Sequence, residues 1–254
     1  MSRQPFVLID DSLSPGGDAW LFENPVEIVA CDDPTGVNEA LDRIAGAGRD
    51  GLYAAGFMAY ELGYLLEPRL APLLPERRRQ PLIWMGLFGE LRQLDREDIT
   101  RFLDTQTQAE GHVVEGHGQT IEREQYLAAI GQVKDYIAAG DVYQINFTFH
   151  YRFRLTGDPV SLYRDLRRRQ PVAHGALLRG PDWHLLSLSP ELFVEIRDGR
   201  ATTRPMKGTA QRGATPAEDA DIAAWLRADE KSRAENLMIT DLLRNDLSRV
   251  ALIG

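Results

Sequence analysis

Residues 143–154 read Tyr143-Gln144-Ile145-Asn146-Phe147-Thr148-Phe149-His150-Tyr151-Arg152-Phe153-Arg154. Six aromatic or aliphatic residues alternate there with six polar ones. Side chains of a strand point to opposite faces in turn, so this period of two predicts one long strand over 143–154, apolar on one face and polar on the other. A strand of that kind belongs to an antiparallel sheet with only one face in the core.

Working outward, Tyr126, Ile130, Val133 and Ile137 fall at helical spacing, and Gly140 stands where a helix ends on a left-handed glycine. Residues 105–120, TQTQAEGHVVEGHGQT, are polar, glycine-containing and without period, and read as a linker. Before them, strands are predicted over 6–10, 19–22, 26–30, 52–58 and 83–91. Val37, Leu41 and Ile44 mark a helix over 37–47. Residues 56–64, running through Phe57 and Tyr60 into Glu61-Leu62-Gly63-Tyr64, read as core packing.

On the other side, 159–169 reads as a helix, with strands over 176–178 and 184–188. Asp198-Gly199 is a two-residue turn signal between strands over 192–197 and 200–204. Thr215-Pro216-Ala217-Glu218 combines an N-cap, a proline at the first helical position and a capping-box glutamate, opening a helix through Trp225. A last helix over 231–249 carries Leu237, Met238, Ile239, Leu242, Leu243 and Leu247 on more than one face, which predicts that it is largely buried. Strands and helices come in blocks, without a regular βαβ alternation. The class is α+β, an antiparallel β-sheet core flanked by helices. The organisation predicted is a segment 1–104, a linker 105–120 and a segment 121–254.

Composition excludes several functions. The 254 residues are 43% hydrophobic and 26% charged, ordinary for a globular chain. A net charge of -9 argues against a nucleic-acid groove or an anionic membrane surface, which need a basic field. The runs Arg77-Arg78-Arg79 and Arg167-Arg168-Arg169 are short enough to be solvated faces. The one cysteine, Cys31, excludes a disulfide framework and a cysteine-rich zinc site, and reads as a small packing residue. No apolar run approaches the ~20 residues of a membrane helix, and no apolar signal segment follows Met1-Ser2-Arg3-Gln4-Pro5, so a cytoplasmic location is the expectation. Gly16-Gly17 and the linker glycines lack the spacing of a phosphate loop or dinucleotide fingerprint.

The chemistry-bearing candidates gather late in the chain. If Asp198-Gly199 is a two-residue turn, Arg197 pairs with Arg200, and the register carried on puts Glu191 opposite Met206, next to Lys207. Pro205 and Gly208 make strict alternation doubtful there. From spacing alone the pair is either an ordinary surface salt bridge or a functional carboxylate and amine. On the last helix Glu235, Asp241 and Asp246 stand among apolar neighbours, with Arg233, Arg244 and Arg249 available to pair with them. Gln144 lies on the polar face of the predicted long strand.

Four ordered motifs then carry a resemblance: Gly140-Asp141-Val142-Tyr143-Gln144-Ile145-Asn146; Ser187-Leu188-Ser189-Pro190-Glu191-Leu192-Phe193; Arg204-Pro205-Met206-Lys207-Gly208-Thr209; and DEKSRAENLMITDLLRNDLSR over 229–249. Together they resemble the chorismate-binding family, which includes anthranilate, aminodeoxychorismate, isochorismate and salicylate synthases. The resemblance is specific from about Glu122 onward and weaker through 56–64 and 84–88. It implies an anthranilate-synthase-like fold.

The resemblance also implies roles. Water-using members place a lysine where Gln144 stands; an amide cannot act as that base, which points to ammonia as nucleophile. Anthranilate synthases have alanine where Lys207 stands, whereas aminodeoxychorismate synthases resemble this chain in having lysine. In that branch the lysine amine attacks chorismate at C2 and the C4 hydroxyl leaves. Ammonia then adds at C4 and the lysine departs. This needs a neutral amine, hence a depressed pKa for Lys207. Glu191 matches the general acid that protonates the leaving hydroxyl, which needs a raised pKa. Gln144, Gly208 and Thr209 match substrate-pocket positions. Glu235 matches a ligand of Mg²⁺, which orients the ring carboxylate. Chorismate, and a glutamine amidotransferase subunit supplying ammonia, are the implied partners.

Three departures stand against the pattern. Ser232 replaces a second acidic residue three positions before the metal glutamate. The tryptophan-binding pattern is only loosely present around Asp10-Asp11-Ser12. The chain reaches Leu252-Ile253-Gly254 without the histidine, second carboxylate set, glycine-rich loop and arginine that members carry further on. The expectation is a fragment of the chorismate-binding domain with open sheet edges, inactive alone in chorismate amination. The alternatives are an anthranilate synthase large subunit and a non-catalytic remnant that docks the amidotransferase.

Overall fold

The computed structural model describes residues 4–107 and 111–252. Its strands are β1 (Phe6–Asp10), β2 (Ala19–Glu23), β3 (Glu27–Cys31), β4 (Tyr53–Met58), β5 (Ile83–Phe88), β6 (Arg92–Leu94), β7 (His112–Gln119), β8 (Tyr151–Gly157), β9 (His174–Arg179), β10 (His184–Ser189), β11 (Leu192–Arg197) and β12 (Arg200–Arg204). Its α-helices are α1 (Val37–Gly46), α2 (Gly63–Leu66), α3 (Arg96–Gln106), α4 (Arg123–Ala139), α5 (Pro159–Arg169), α6 (Pro216–Ala228) and α7 (Glu230–Ser248). The strand pairs are antiparallel, as the α+β class requires. The chain divides into two compact units, Met1–Arg96 with Gln170–Gly254, and Glu97–Arg169.

In the first unit a five-stranded sheet has the order β10-β9-β1-β2-β6, and a three-stranded sheet the order β3-β5-β4. β1 is apolar at Phe6, Val7 and Leu8, all fully buried, so it needs neighbours along both edges and on both faces. It takes β2 on one side and β9 on the other. That pairing joins strands from both sides of 105–120. The sheet therefore cuts across the division expected at that stretch.

β5 shows how alternation builds layers. Trp84 and Phe88 join Val7, Phe22, Ala55 and Leu178 in a core between the two sheets. Ile83 and Leu87, on its other face, join Val29, Cys31, Val37 and Ala40 in a second core beneath α1. Gly86 is obligatory there: a Cβ would lie 2.5 Å from the Phe88 ring. Trp183 seals the first core edge-on against Trp84 and Phe57, at 5.0 and 5.6 Å between ring centroids. Cys31 is buried and unpaired by any disulfide, and burial together with Asp33 and Asp32 pushes its thiol pKa up.

In the second unit Ile99 and Leu103 of α3, and Val160 and Tyr163 of α5, are fully buried at helical spacing. Arg164 donates to Asp104 at 2.9 Å, tying α5 to α3. α4 ends as the sequence predicts, on Gly140 at φ 81°.

Three expectations need correction. Of the strand expected over 143–154 only 151–154 is strand, continued to Gly157 as β8, because β8 hydrogen-bonds only where β7 runs beside it. Residues 143–150 have no partner strand among the described residues, and Phe147 and Phe149 pack on Tyr126 of α4. The stretch read as a linker holds the end of α3 and all of β7, while 108–110 lie outside the described residues. Gly116 at φ 59° and a register shift between Glu115 and Gly118 hide that strand's alternation. Finally, α7 has no buried residue: Leu237 is 64% exposed and Leu242 53%. Met238, Ile239, Leu243 and Leu247 are only half-buried. Ile253 and Gly254 lie outside the described residues.

Candidate active site

The β11–β12 hairpin turns on Asp198 and Gly199, at φ 51° and 74°. Arg197 pairs with Arg200 as predicted. Further along, the register slips by one residue between Leu192 and Glu195, so Leu192 pairs with Arg204. The slip breaks the strict alternation that would send Glu191 and Lys207 to opposite faces. Instead, Oε1 of Glu191 accepts the Met206 N–H at 3.0 Å. The Glu191 N–H donates to Ser189 Oγ at 3.2 Å, which fixes the start of this strand.

Lys207 follows directly. It is half-buried, and among the described residues no carboxylate lies within ion-pair distance of its ammonium. The salt-bridge reading of Glu191 and Lys207 therefore does not hold. The carboxylate grips the loop backbone one residue before the lysine, and among the described residues the amine has no carboxylate partner. Glu191 and Thr209 are exposed.

Gly208 adopts φ +78°, a left-handed conformation that favours glycine. A Cβ there would meet Ser232 Cβ and Oγ at 2.8 Å and Leu226 at 3.3 Å. The Lys207-Gly208-Thr209 loop thus lies against both α6 and the start of α7. Ser232 is set by Asp229, which ends α6 and caps α7: Oδ2 of Asp229 accepts the Ser232 N–H at 2.8 Å. Hydrogen bonds from Ser232 hold the Asp229 carboxyl below its ordinary range. The departure from the family pattern at Ser232 thus falls where Gly208 packs.

Glu235 lies three residues beyond Ser232 on α7, on the same side of the helix. Its carboxylate is half-buried, and Lys231 Nζ stands 3.8 Å from Oε1. Among the described residues no group of three His, Cys, Asp or Glu side chains could hold a metal. One carboxylate fits a single position in the octahedral shell of magnesium, which otherwise takes water and substrate oxygens. Asp241 is structural, paired with Arg244 at 2.8 Å.

Gln144 belongs to the other unit. It is exposed there, and its amide donates to Asn146 Oδ1 at 3.3 Å. The structure thus places Lys207, Gly208 and Thr209 on one loop, with Glu191 holding the Met206 N–H at its start and Glu235 on α7, three residues beyond the Ser232 that Gly208 faces. A shallow depression on α7, lined by Glu230, Arg233, Asn236, Leu237 and Thr240, faces another side of that helix and includes none of these. Sequence reasoning missed the Met206 N–H and the pair Arg212–Asp219. The last had a faint signal, an arginine seven residues before an acidic residue in the first turn of a capped helix.

The comparisons with known proteins follow the same residues. A family model described as chorismate binding enzyme matches residues 27–254. Aminodeoxychorismate synthase component 1 of Escherichia coli is 31% identical over 261 residues, covering 94% of this chain and 58% of that protein. Anthranilate synthase component 1 of Acinetobacter calcoaceticus is 37% identical over 235 residues, covering 78% and 47%. Aminodeoxychorismate synthase component 1 of Bacillus subtilis is 41% identical over 129 residues, covering 51% and 27%. The chain thus spans between 27% and 58% of the length of these relatives. Among solved structures, anthranilate synthase component I of Streptococcus pneumoniae aligns with a TM-score of 0.73 at 20% identity, over 93% of this chain and 62% of that one. An isochorismate synthase of Bacillus anthracis aligns at 0.65 and 18% identity, over 98% and 61%. At such identities the structures speak for the fold alone.

Proposed function

The chain belongs to the chorismate-binding enzyme family, and we propose that it acts in the amination of chorismate to 4-amino-4-deoxychorismate, on the p-aminobenzoate route to folate. The observation that carries this reading is Lys207, half-buried, without an ion-pair partner, and one residue past the backbone N–H that Glu191 holds. An amine free of a carboxylate is the one able to attack carbon.

In this reading the Lys207 amine forms a bond to C2 of chorismate. Both ring double bonds shift, C1=C2 to C1=C6 and C5=C6 to C4=C5, and the C4–O bond breaks; the double bonds shift back when ammonia displaces the lysine. The hydroxyl leaves as water, taking a proton from Glu191. With Oε1 of Glu191 held by the Met206 N–H, Oε2 is the oxygen that carries that proton. Ammonia then forms a bond to C4, the C2–N bond breaks, and Lys207 is released. By the family resemblance Gly208 and Thr209 would be substrate-pocket positions, and a neutral amide at the Gln144 position favours ammonia over activated water. Glu235 would supply one oxygen to Mg²⁺, whose part, when bound, is to neutralise and orient the ring carboxylate. A glutamine amidotransferase partner would deliver the ammonia. Among the described residues no helix is long and apolar enough to cross a membrane, which supports the cytoplasmic setting proposed for it.

Anthranilate synthesis is the second reading, favoured by relatives of that name, including one 44% identical over 133 residues. Lys207 stands against it, since the resemblance implies alanine there. Product identity separates the two. Protein spanning the full length of the relatives is given chorismate, ammonium and magnesium, and its products are resolved by chromatography. A product that a lyase converts to p-aminobenzoate supports the proposal. Fluorescent anthranilate as the main product replaces it with the second reading.

A further inference from the structure

Arg212 reaches back across the end of the Lys207 loop to Asp219, in the first turns of α6. Its Nε donates to Oδ1 and its Nη2 to Oδ2, each at 2.6 Å. The Gly213 N–H adds a third bond to Oδ1, at 3.0 Å. Glu218 Oε2 accepts the N–H groups of Ala214 and Thr215, at 2.9 and 3.3 Å. Gly213 lies so close that a Cβ on it would stand 2.3 Å from the Asp219 nitrogen. A guanidinium held by both oxygens of a carboxylate fixes direction as well as distance. The far end of the loop is thereby fastened to α6, as the near end is fastened by Glu191 to Met206 and the middle by Gly208 against Ser232.

The energetics separate this pair from the fold. The Arg212 side chain is 87% exposed, and ion pairs at such exposure contribute little to global stability. What the pair constrains is the loop. Residues 209–212 have no strand or helix of their own, so their course is set by where both ends are held.

We propose that Arg212 and Asp219 are positioning residues: their forked pair holds residues 205–215 in the shape that presents Lys207. The catalytic meaning rests on the reading of Lys207 as nucleophile; the holding of the loop does not. The mutual effect on titration agrees with a well-formed pair. Asp219 is held below its ordinary pKa by the Arg212 side chain and the Gly213 N–H, and Arg212 is raised by the same carboxylate.

The chain has three lysines, Lys134, Lys207 and Lys231, which gives the test internal controls. The variants Arg212→Gln and Asp219→Asn are compared with the parent protein by amide hydrogen exchange and by mass-spectrometric rates of lysine labelling with an amine reagent. The expected result is exchange about tenfold faster in the 206–209 segment, whose Met206 N–H Glu191 holds, with unchanged protection at 222–226 inside α6. Labelling of Lys207 rises several-fold in both variants while Lys134 and Lys231 keep their rates. Arg212→Lys, which keeps the charge but not the fork, falls between. Unchanged exchange and labelling at 207 overturn the proposal. So does a loss of protection in α6 in step with the loop, which would make the pair a helix-end contact only. If Lys207→Ala leaves chorismate conversion intact while the loop responds as described, the lysine's chemical role fails and the positioning stands.

Discussion

Two parts of the first unit are held by different forces. In the paired sheets, Phe6, Val7, Leu8, Leu82, Ile83, Leu87 and Phe88 are all 1% exposed or less. From β11 to the end of α7 no described residue is buried. The sheets are fixed by apolar area removed from water, about 25 cal/mol per Å². The hairpin and helices that carry Glu191, Lys207 and Glu235 are fixed instead by caps, a bidentate ion pair, a left-handed glycine and a register slip. Burial makes a scaffold that tolerates no cavity. Local polar devices aim side chains without covering them. The difference teaches where substitutions unfold the protein and where they only misplace its chemistry.

Phe88→Ala should show the largest effect. The ring is fully buried and packs at 5.5 Å from Phe22, so its loss should cost about 3–5 kcal/mol. Trp225→Ala, on the 58% exposed indole of α6, should stay within about 0.5 kcal/mol. Equal losses in denaturant melts would break the contrast between the two parts. Gly208→Ala comes next, with about 1–2 kcal/mol of left-handed strain and a collision with Ser232. Adding Ser232→Gly should recover the collision share but not the strain. Full recovery, or none, in the double-mutant cycle would show that Gly208 is not held as described.

The smallest effect is that of pH. Asp229 and Asp219 both have carboxyls depressed in the folded protein, the first by Ser232 and the second by Arg212. A depressed folded value means stabilisation that is present above the ordinary carboxylate range and lost as pH falls through the folded values. Protection factors at the α6–α7 junction, taken against the intrinsic exchange rate at each pH, should therefore fall below about pH 4 before those of the sheets. Simultaneous loosening of junction and sheets would count against separate forces.

Much of this was legible in the sequence where the cause is local. β1 through β5 follow from short apolar alternations, and α6 from Thr215-Pro216-Ala217-Glu218, whose capping box forms as read. The hairpin turn follows from Asp198-Gly199. What needed the structure was partnership. The alternation of 143–150 resembles a strand, yet a strand exists only where another accepts its hydrogen bonds. The apolar residues of α7 say what would benefit from cover, and not whether cover is present. Glu191 and Lys207 were legible as neighbours, but one slipped residue turned a presumed ion pair into a carboxylate on the Met206 N–H and an unpartnered amine. Arg212 and Asp219 meet across a loop, and no periodicity announces that.

The central claim is that Lys207 performs the chemistry on chorismate. The most direct test is made in protein spanning the full length of the relatives: the rate at which its Lys207→Ala form makes 4-amino-4-deoxychorismate from chorismate and ammonium, beside its unaltered parent. The account predicts a fall of about 100-fold or more with the melting temperature unchanged, since the side chain is only half-buried and bears on no core. Formation at the parent's rate would contradict it.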